Sequence, residues 1–152
     1  MTEQVIEIVL VEDNPDDLQL ALFALKRGGV APRIHVARDG EEALNYLLRR
    51  GPYERGGPQY PPKLILLDLK LPKITGLEVL RELKQNPRTR PYPVVVMTSS
   101  TQEKDMMECY QLGANSYIQK PIDFQRFQKI MAELGSYWLS INQTLPVEST
   151  QP

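Results

Sequence analysis

The feature that most constrains the fold is a run of four leucine and isoleucine residues that ends in an aspartate. The run covers 64–67, and Asp68 follows it directly. A short run with no polar break is typical of a strand buried on both faces, as in a parallel sheet covered by helices. A carboxylate is costly inside a core, so we expect Asp68 at the carboxyl end of the strand, where open α/β sheets place their chemistry.

The same alternation of apolar runs and helical patterns continues along the chain. Strands are predicted over 5–11, 33–37, 64–67, 93–98 and 116–119, and each is followed by apolar residues at helical spacing. This order predicts an α/β fold in which one five-stranded parallel sheet, doubly wound by right-handed crossovers, carries helices on both faces.

Capping and breaking residues mark the helix boundaries. Asn14 is a predicted cap for the first helix, and two aspartates in the first turn complement the positive end of that helix. Gly28-Gly29 is predicted to end it, and a cap for the fourth helix is predicted within 99–101. The last helix is predicted over about 123–141, although Gly135 inside it costs roughly 1 kcal/mol relative to alanine.

Length and composition predict one domain over 5–142, followed by a flexible tail over 143–152. The 152 residues suffice for a real core, and the net charge of -1 gives no reason to expect nucleic acid or membrane as a partner. Cys109 is the single cysteine, so an internal disulfide is excluded. Glu7 and Glu12 interrupt the first apolar run, which therefore resembles neither a signal peptide nor a membrane span. A cytoplasmic protein is expected.

Oxygen-bearing side chains and one lysine follow the predicted buried strands: Glu12, Asp13, Asp68, Thr98 and Lys120. In a parallel sheet they would converge on one edge, where carboxylates repel each other unless a cation joins them. Such oxygen ligands suit Mg²⁺. Asp68 would be a nucleophile for a phosphoryl group, Lys120 would neutralise charge on that group, and Thr98 would donate a hydrogen bond to it.

Each of these residues also has a structural interpretation. Acidic residues before Asn-Pro can be a turn and helix cap, Thr98 can begin a cap, and Lys120 can belong to a loop. The joint occurrence of these residues at successive strand ends favours a site. Three other features receive structural interpretations only: His35 has no metal-ligating partner nearby in sequence, Cys109 is expected to pack in the core, and Met106-Met107 is expected at the core and its rim.

The strand-end set, together with Leu71-Pro72 and Gly76, resembles the receiver domain of two-component response regulators from residue 5 to about residue 138. The resemblance implies a flavodoxin-like sheet with strand order 2-1-3-4-5. It also implies roles: Asp68 as phosphoacceptor and Lys120 as a contact to the phosphoryl group. Mg²⁺ would be bound by Asp13, Asp68 and the backbone carbonyl of Lys70, and by Glu12 through water. Thr98 and Tyr117 would be the switch pair.

A narrower resemblance is to the small response regulators paired with cyanobacterial bacteriophytochromes. It is carried by the Pro-rich loop before Leu64, by 64–73 and by 137–141. It implies a phytochrome histidine kinase as phosphoryl donor, docking on the first helix. The protein would not be an enzyme but a phosphoacceptor with Mg²⁺-dependent self-phosphorylation and autodephosphorylation. Lys70 occupies a position where many relatives have asparagine.

The output is expected to be association, because few residues follow the last helix. Tyr137, Trp138 and Ile141 extend an apolar stripe, which predicts a homodimer through that helix. Phosphorylation would draw Thr98 toward the phosphoryl group and let Tyr117 turn inward, reshaping the face of the fourth helix, fifth strand and last helix.

Three other functions compete with this interpretation. A phosphatase or phosphoryl transferase usually has a second acid two residues after the nucleophile, where this chain has Lys70. A flavodoxin-like cofactor binder needs a phosphate-cradling loop after the first strand, and residues 13–17 are acidic there. A pseudo-receiver would bind partners without phosphorylation.

Overall fold

Five strands and five helices alternate along the residues that the computed structural model describes, 5–27, 32–58, 60–121 and 123–146. The strands are β1 (Ile8–Val11), β2 (Ile34–Ala37), β3 (Leu64–Leu67), β4 (Val94–Thr98) and β5 (Ser116–Gln119). The helices are α1 (Pro15–Lys26), α2 (Gly40–Leu48), α3 (Gly76–Gln85), α4 (Glu103–Leu112) and α5 (Phe124–Ser136). A 3₁₀ turn covers Gly51–Tyr53, and a π-helical segment, Tyr137–Ile141, continues α5.

The strands form one parallel sheet in the order β2-β1-β3-β4-β5, which confirms the predicted fold. Val11 lies opposite Leu67, and Leu67 lies opposite Val96, so the carboxyl ends of the three central strands are nearly level. The strand predicted over 5–11 begins only at Ile8, because its partners β2 and β3 begin opposite that residue. The register therefore brings the residues that follow β1 and β3 side by side.

Helices cover both faces of the sheet, and the central strands are therefore buried on both sides. α1 and α5 pack on one face around Leu10, Leu66 and Met97. α2 and α3 pack on the other face around Val9 and Ile65. The central strands are fully buried, whereas the edge strands β2 and β5 are mostly half-buried.

The predicted cap of α1 is confirmed, and that of α4 is wrong. The Asn14 side chain accepts hydrogen bonds from the backbone N–H groups of Asp16 at 2.9 Å and Asp17 at 3.0 Å. The residue before α4 is Gln102, whose side chain makes no capping hydrogen bond. Ser100 stands two residues too early to cap the helix, and its hydroxyl instead donates to the Asp105 carboxylate at 2.6 Å.

Two predictions at helix ends have mixed outcomes. The last helix continues past Gly135 as predicted, but its hydrogen bonding changes to the π type over Tyr137–Ile141. Gly28 and Gly29 lie outside the described residues, as do residues 147–152 of the predicted tail. Within the tail, Leu145 is half-buried against the core.

α4 is less buried than its sequence pattern predicts. Cys109 is fully buried, as expected, but Met106 and Met107 are 37% and 53% exposed. The core part of the expectation for this methionine pair, which was placed at the core and its rim, is therefore wrong, because Cys109 is the one buried residue of α4. No helix within the described residues is long and apolar enough to span a membrane.

Candidate functional site

Three carboxylates meet where β1 and β3 end. One carboxylate oxygen from each of three residues, Glu12, Asp13 and Asp68, lies within 4.8 Å of the other two. The Asp68 N–H donates to the Val11 carbonyl at 3.1 Å, so the sheet hydrogen bonding continues one residue beyond β3 and fixes the backbone of Asp68. Glu12 and Asp68 are buried and Asp13 is exposed, which leaves the cluster open to solvent on one side.

Lys120 reaches this cluster from the end of β5. Its backbone N–H donates to the Thr98 carbonyl at 2.7 Å. Its Nζ donates to Glu12 Oε1 at 2.7 Å, to Asp17 Oδ2 at 2.9 Å and to Asp68 Oδ2 at 3.1 Å. The predicted convergence of strand-end oxygens and one ammonium is therefore present in the structure.

Asp17 is the site residue that the sequence analysis missed. An aspartate in the first turn of a helix is explained by the helix dipole, so nothing local distinguishes Asp17 from Asp16. The position of Asp17 in the fold distinguishes the two residues. Asp17 is the third residue of the helix that follows β1, and it is half-buried, whereas Asp16 is exposed.

The charges at the site perturb one another. Burial raises the pKa of Glu12 to about 7, although its hydrogen bond with Lys120 opposes the rise. Burial also disfavours the Lys120 ammonium, but its hydrogen bonds to Glu12 and Asp17 and the charge of Asp68 outweigh this and raise the pKa of Lys120. Three carboxylates contact the Lys120 ammonium, and the carboxylate of Asp13 lies beside two of them. The excess negative charge favours a further cation.

The donor set fits a small divalent cation. Carboxylate oxygens are hard ligands of the kind that Mg²⁺ and Mn²⁺ prefer, and the exposed Asp13 leaves room for water molecules on the ion. Lys70 stands two residues after Asp68 and has an exposed side chain. Its N–H donates to Asp68 Oδ1 at 3.3 Å and so helps to orient the carboxylate; the metal-binding role of its carbonyl stays a prediction.

The two residues of the predicted switch lie on neighbouring strands. Thr98 is fully buried at the end of β4, and its hydroxyl oxygen accepts a hydrogen bond from the Ser100 N–H at 3.2 Å. The hydroxyl of Tyr117 is buried and has no hydrogen-bond partner among the described protein groups, while its side chain packs against the core. The inward turn of Tyr117 on phosphorylation stays a prediction.

Gly76 packs directly against the backbone of Asp68. A Cβ at this position would lie 2.2 Å from the Asp68 carbonyl oxygen and 2.5 Å from the Leu69 Cα. The Gly76 N–H donates to the Leu69 carbonyl at 2.9 Å. The start of α3 therefore supports the candidate nucleophile from behind, and only glycine leaves enough space.

The predicted dimer residues lie at the end of α5, on the π-helical segment and apart from the acidic cluster. Tyr137 and Ile141 are 46% and 63% exposed, whereas Trp138 is half-buried against the core. A groove of about 470 Å³ between β5 and α5 is lined by Ser116, Ile118, Ile130, Glu133, Leu134, Tyr137 and Trp138.

With this geometry established, similarity to known proteins decides the family. Residues 8–132 match the family described as the response regulator receiver domain. The chain belongs to this family.

Two similar proteins with solved structures are response regulators, one in a Mn²⁺-bound form and the other in a phosphorylated form. Response regulator Rcp1 of Synechocystis sp. is 41% identical over 139 residues, covering 91% of this chain and 92% of Rcp1. The crystal structure of its Mn²⁺-bound form has a TM-score of 0.86 at 38% identity and matches 93% of this chain and 99% of that chain. The phosphorylated cyanobacterial phytochrome response regulator RcpA gives the same TM-score, identity and coverage.

A third relative is named for methanogenesis. The probable methanogenesis regulatory protein FilR2 of Methanothrix harundinacea is 41% identical over 137 residues, which cover 90% of this chain and 86% of FilR2. This receiver is thus as close in sequence to a regulator named for methanogenesis as it is to Rcp1.

Proposed function

We propose that this receiver accepts a phosphoryl group on Asp68 in a Mg²⁺-dependent reaction and signals by a change in association. The observation that carries the proposal is the hydrogen bonding of Lys120 Nζ to Asp68 and Glu12, within a cluster of carboxylates drawn from different strand ends. Nucleophile, cation and metal-binding oxygens are therefore already within reach of one phosphoryl group.

In the proposed reaction, one oxygen of the Asp68 carboxylate attacks the phosphorus of a phosphohistidine. The new O–P bond forms as the N–P bond breaks, and the imidazole leaves. Lys120 donates to an oxygen of the transferring group, and the Thr98 hydroxyl donates to another. Bound Mg²⁺, held by Asp13, Asp68 and the Lys70 carbonyl and by Glu12 through water, would supply further positive charge to those oxygens.

Phosphorylation by acetyl phosphate tests the proposal directly. Incubation with Mg²⁺ should add one phosphoryl mass, seen by intact-mass spectrometry, and hydroxylamine should remove it. The adduct should be absent in Asp68→Asn and in the presence of EDTA. Asp39→Asn is the matched control, because Asp39 also follows a strand and asparagine can still cap α2 as Asp39 does. A wild-type protein that takes up no phosphoryl group would instead be a pseudo-receiver that binds partners without phosphorylation.

The proposed donor is a histidine kinase, specifically a phytochrome kinase, because the phytochrome response regulator RcpA is similar to this chain over 93% of its length. The exchange is proposed for the cytoplasm, where the buried free thiol of Cys109 would stay reduced. The specific part is tested by comparing phosphotransfer from a phosphorylated cyanobacterial phytochrome with transfer from an unrelated histidine kinase. Equal transfer rates would contradict the phytochrome pairing.

Kinase docking is proposed on α1, which begins beside the acidic cluster. Phe23 of α1 is 50% exposed, and the Arg27 guanidinium lies 5.4 Å from the centre of its ring. An exposed aromatic ring of this kind is typical of an interface. Phe23→Ala should slow phosphotransfer from the kinase while leaving phosphorylation by acetyl phosphate unchanged. An equal effect on both donors would refute the docking role.

The proposed output is homodimerisation through the end of α5 and its neighbours. Tyr137 and Ile141 expose apolar surface beside the groove along β5, and Trp138 forms part of the groove wall. Because Trp138 also packs in the core, the cleaner test is Ile141→Ser, measured by light scattering with and without phosphorylation. Phe23→Ser is the control, since Phe23 is an exposed apolar residue on α1. A dimer that survives in Ile141→Ser unchanged would contradict this interface.

A further inference from the structure

Asp17 forms a contact that the proposed phosphoryl chemistry does not use. The Lys120 ammonium has three N–H donors, and the structure directs them to three carboxylates: Glu12, Asp17 and Asp68. Every donor of Lys120 is thus occupied before a phosphoryl group arrives. One of the three bonds must be given up for Lys120 to contact the phosphoryl group.

The burial of the three carboxylates indicates which bond is given up. The side chains of Glu12 and Asp68 are 6% and 8% exposed, whereas that of Asp17 is 35% exposed. Separating Lys120 from Glu12 would leave a buried carboxylate without its cation, which is costly. Asp68 carries the incoming group itself. Asp17 is the partner that water can solvate when the ammonium turns away.

We infer that Asp17 is a positioning residue for Lys120, holding the ammonium in a resting position and competing with the phosphoryl group for it. The inference rests on the proposed function, because it concerns the same lysine and the same phosphoryl group. Asp17 does not itself touch the reacting atoms. It acts by occupying the one donor of Lys120 that the incoming group needs.

The first turn of α1 is built to hold Asp17 in this place. The Asn14 cap accepts hydrogen bonds from the backbone N–H groups of both Asp16 and Asp17, so the backbone of the turn is fixed. Asp16 and Asp17 are adjacent, carry the same charge and lie near the same helix end. No hydrogen bond or ion pair in the described structure joins Asp16 to Lys120, so Asp16→Asn is a matched control.

The binding of beryllium trifluoride, a noncovalent mimic of the phosphoryl group, tests the competition in the presence of Mg²⁺. Asp17→Asn should bind the mimic about fivefold more tightly than the wild type, the fold-change expected for losing a competing ion pair at the upper end of the exposed range. Asp16→Asn should bind it as the wild type does. Tighter binding in both variants would assign the effect to general charge, and unchanged binding in both would remove Asp17 from the mechanism.

The NMR signal of the Lys120 side-chain ammonium provides a readout that needs neither metal nor phosphoryl donor. In metal-free protein the ¹⁵Nζ signal should shift in Asp17→Asn and stay in place in Asp16→Asn. An unmoved signal in Asp17→Asn would overturn the inference even if Asp68 is phosphorylated normally. A wild-type protein that neither binds the mimic nor accepts a phosphoryl group would instead overturn the proposed function, and this inference with it.

Discussion

Replacing Gly76 with alanine tests the packing that holds Asp68 in place. The added Cβ would lie 2.2 Å from the Asp68 carbonyl oxygen, whereas ordinary van der Waals contact begins at 3.4 Å. The start of α3 and the end of β3 would therefore have to separate by about 1 Å. The atoms in the way belong to the backbone, so no side-chain rotation can relieve the clash.

Both stability and chemistry should respond to Gly76→Ala. Overpacking of this kind costs about 2 kcal/mol, which lowers the Tm of a domain of this size by roughly 4–8 °C. A displacement of about 1 Å at a nucleophile can slow a reaction by about a hundredfold, so phosphorylation by acetyl phosphate should slow by a factor between about 10 and 100. Thermal unfolding by circular dichroism and the rate of phosphoryl uptake measure the two effects.

Gly56→Ala is the matched control for this experiment. No described heavy atom lies within 4 Å of a Cβ built on Gly56, so its Tm and phosphorylation rate should match those of the wild type. A Gly76→Ala protein with the wild-type Tm would refute the steric argument. A protein that loses stability but is phosphorylated at the wild-type rate would refute the claim that Gly76 supports Asp68.

Four further predictions follow from the packing and the site. Gly135→Ala should raise the free energy of unfolding by about 1 kcal/mol, because the new Cβ meets only an ordinary contact at 3.5 Å; a lower Tm would contradict this. Burial lowers the pKa of His35, so the unfolded chain binds its proton more readily and stability should be lost as pH falls below about 6.5. The loss should be smaller in His35→Phe, which keeps an aromatic ring stacked at this position, and equal Tm–pH curves would rule the effect out. Thr98→Ala should weaken the change in association on phosphorylation, measured by light scattering, and an unchanged response would remove Thr98 from the switch. Lys70→Asn should alter the lifetime of the phosphoryl group, and an identical decay rate would exclude a role for this side chain.

Strand ends were predictable from the sequence because the central strands are uniformly apolar. Every residue of the runs at 64–67 and 94–97 is buried. The first polar residue after each run was therefore expected at the carboxyl edge of the sheet. Asp68 and Thr98 could therefore be placed before any coordinates were known. The length of β1 could not, because its start depends on where β2 and β3 begin.

Helix faces and contacts between distant elements were less predictable. Helical spacing shows that α4 has an apolar side but not how much of that side the sheet can cover. Met106 and Met107, expected at the core and its rim, are therefore more exposed than predicted. The bond between Asp17 and Lys120 joins residues more than a hundred positions apart, and its sequence signal is hidden by an ordinary helix-start pattern. The cap expected within 99–101 is wrong because α4 begins only at Glu103, so that Gln102 occupies the capping position.

Titration with Mn²⁺ tests most directly whether separate strand ends form one cation site. The protein should bind a single Mn²⁺ ion per chain, measured by calorimetry, and Asp13→Asn and Asp68→Asn should each weaken binding strongly. Asp16→Asn, which removes the same charge outside the cluster, should bind as the wild type does. Wild-type affinity in Asp13→Asn and Asp68→Asn would contradict the account.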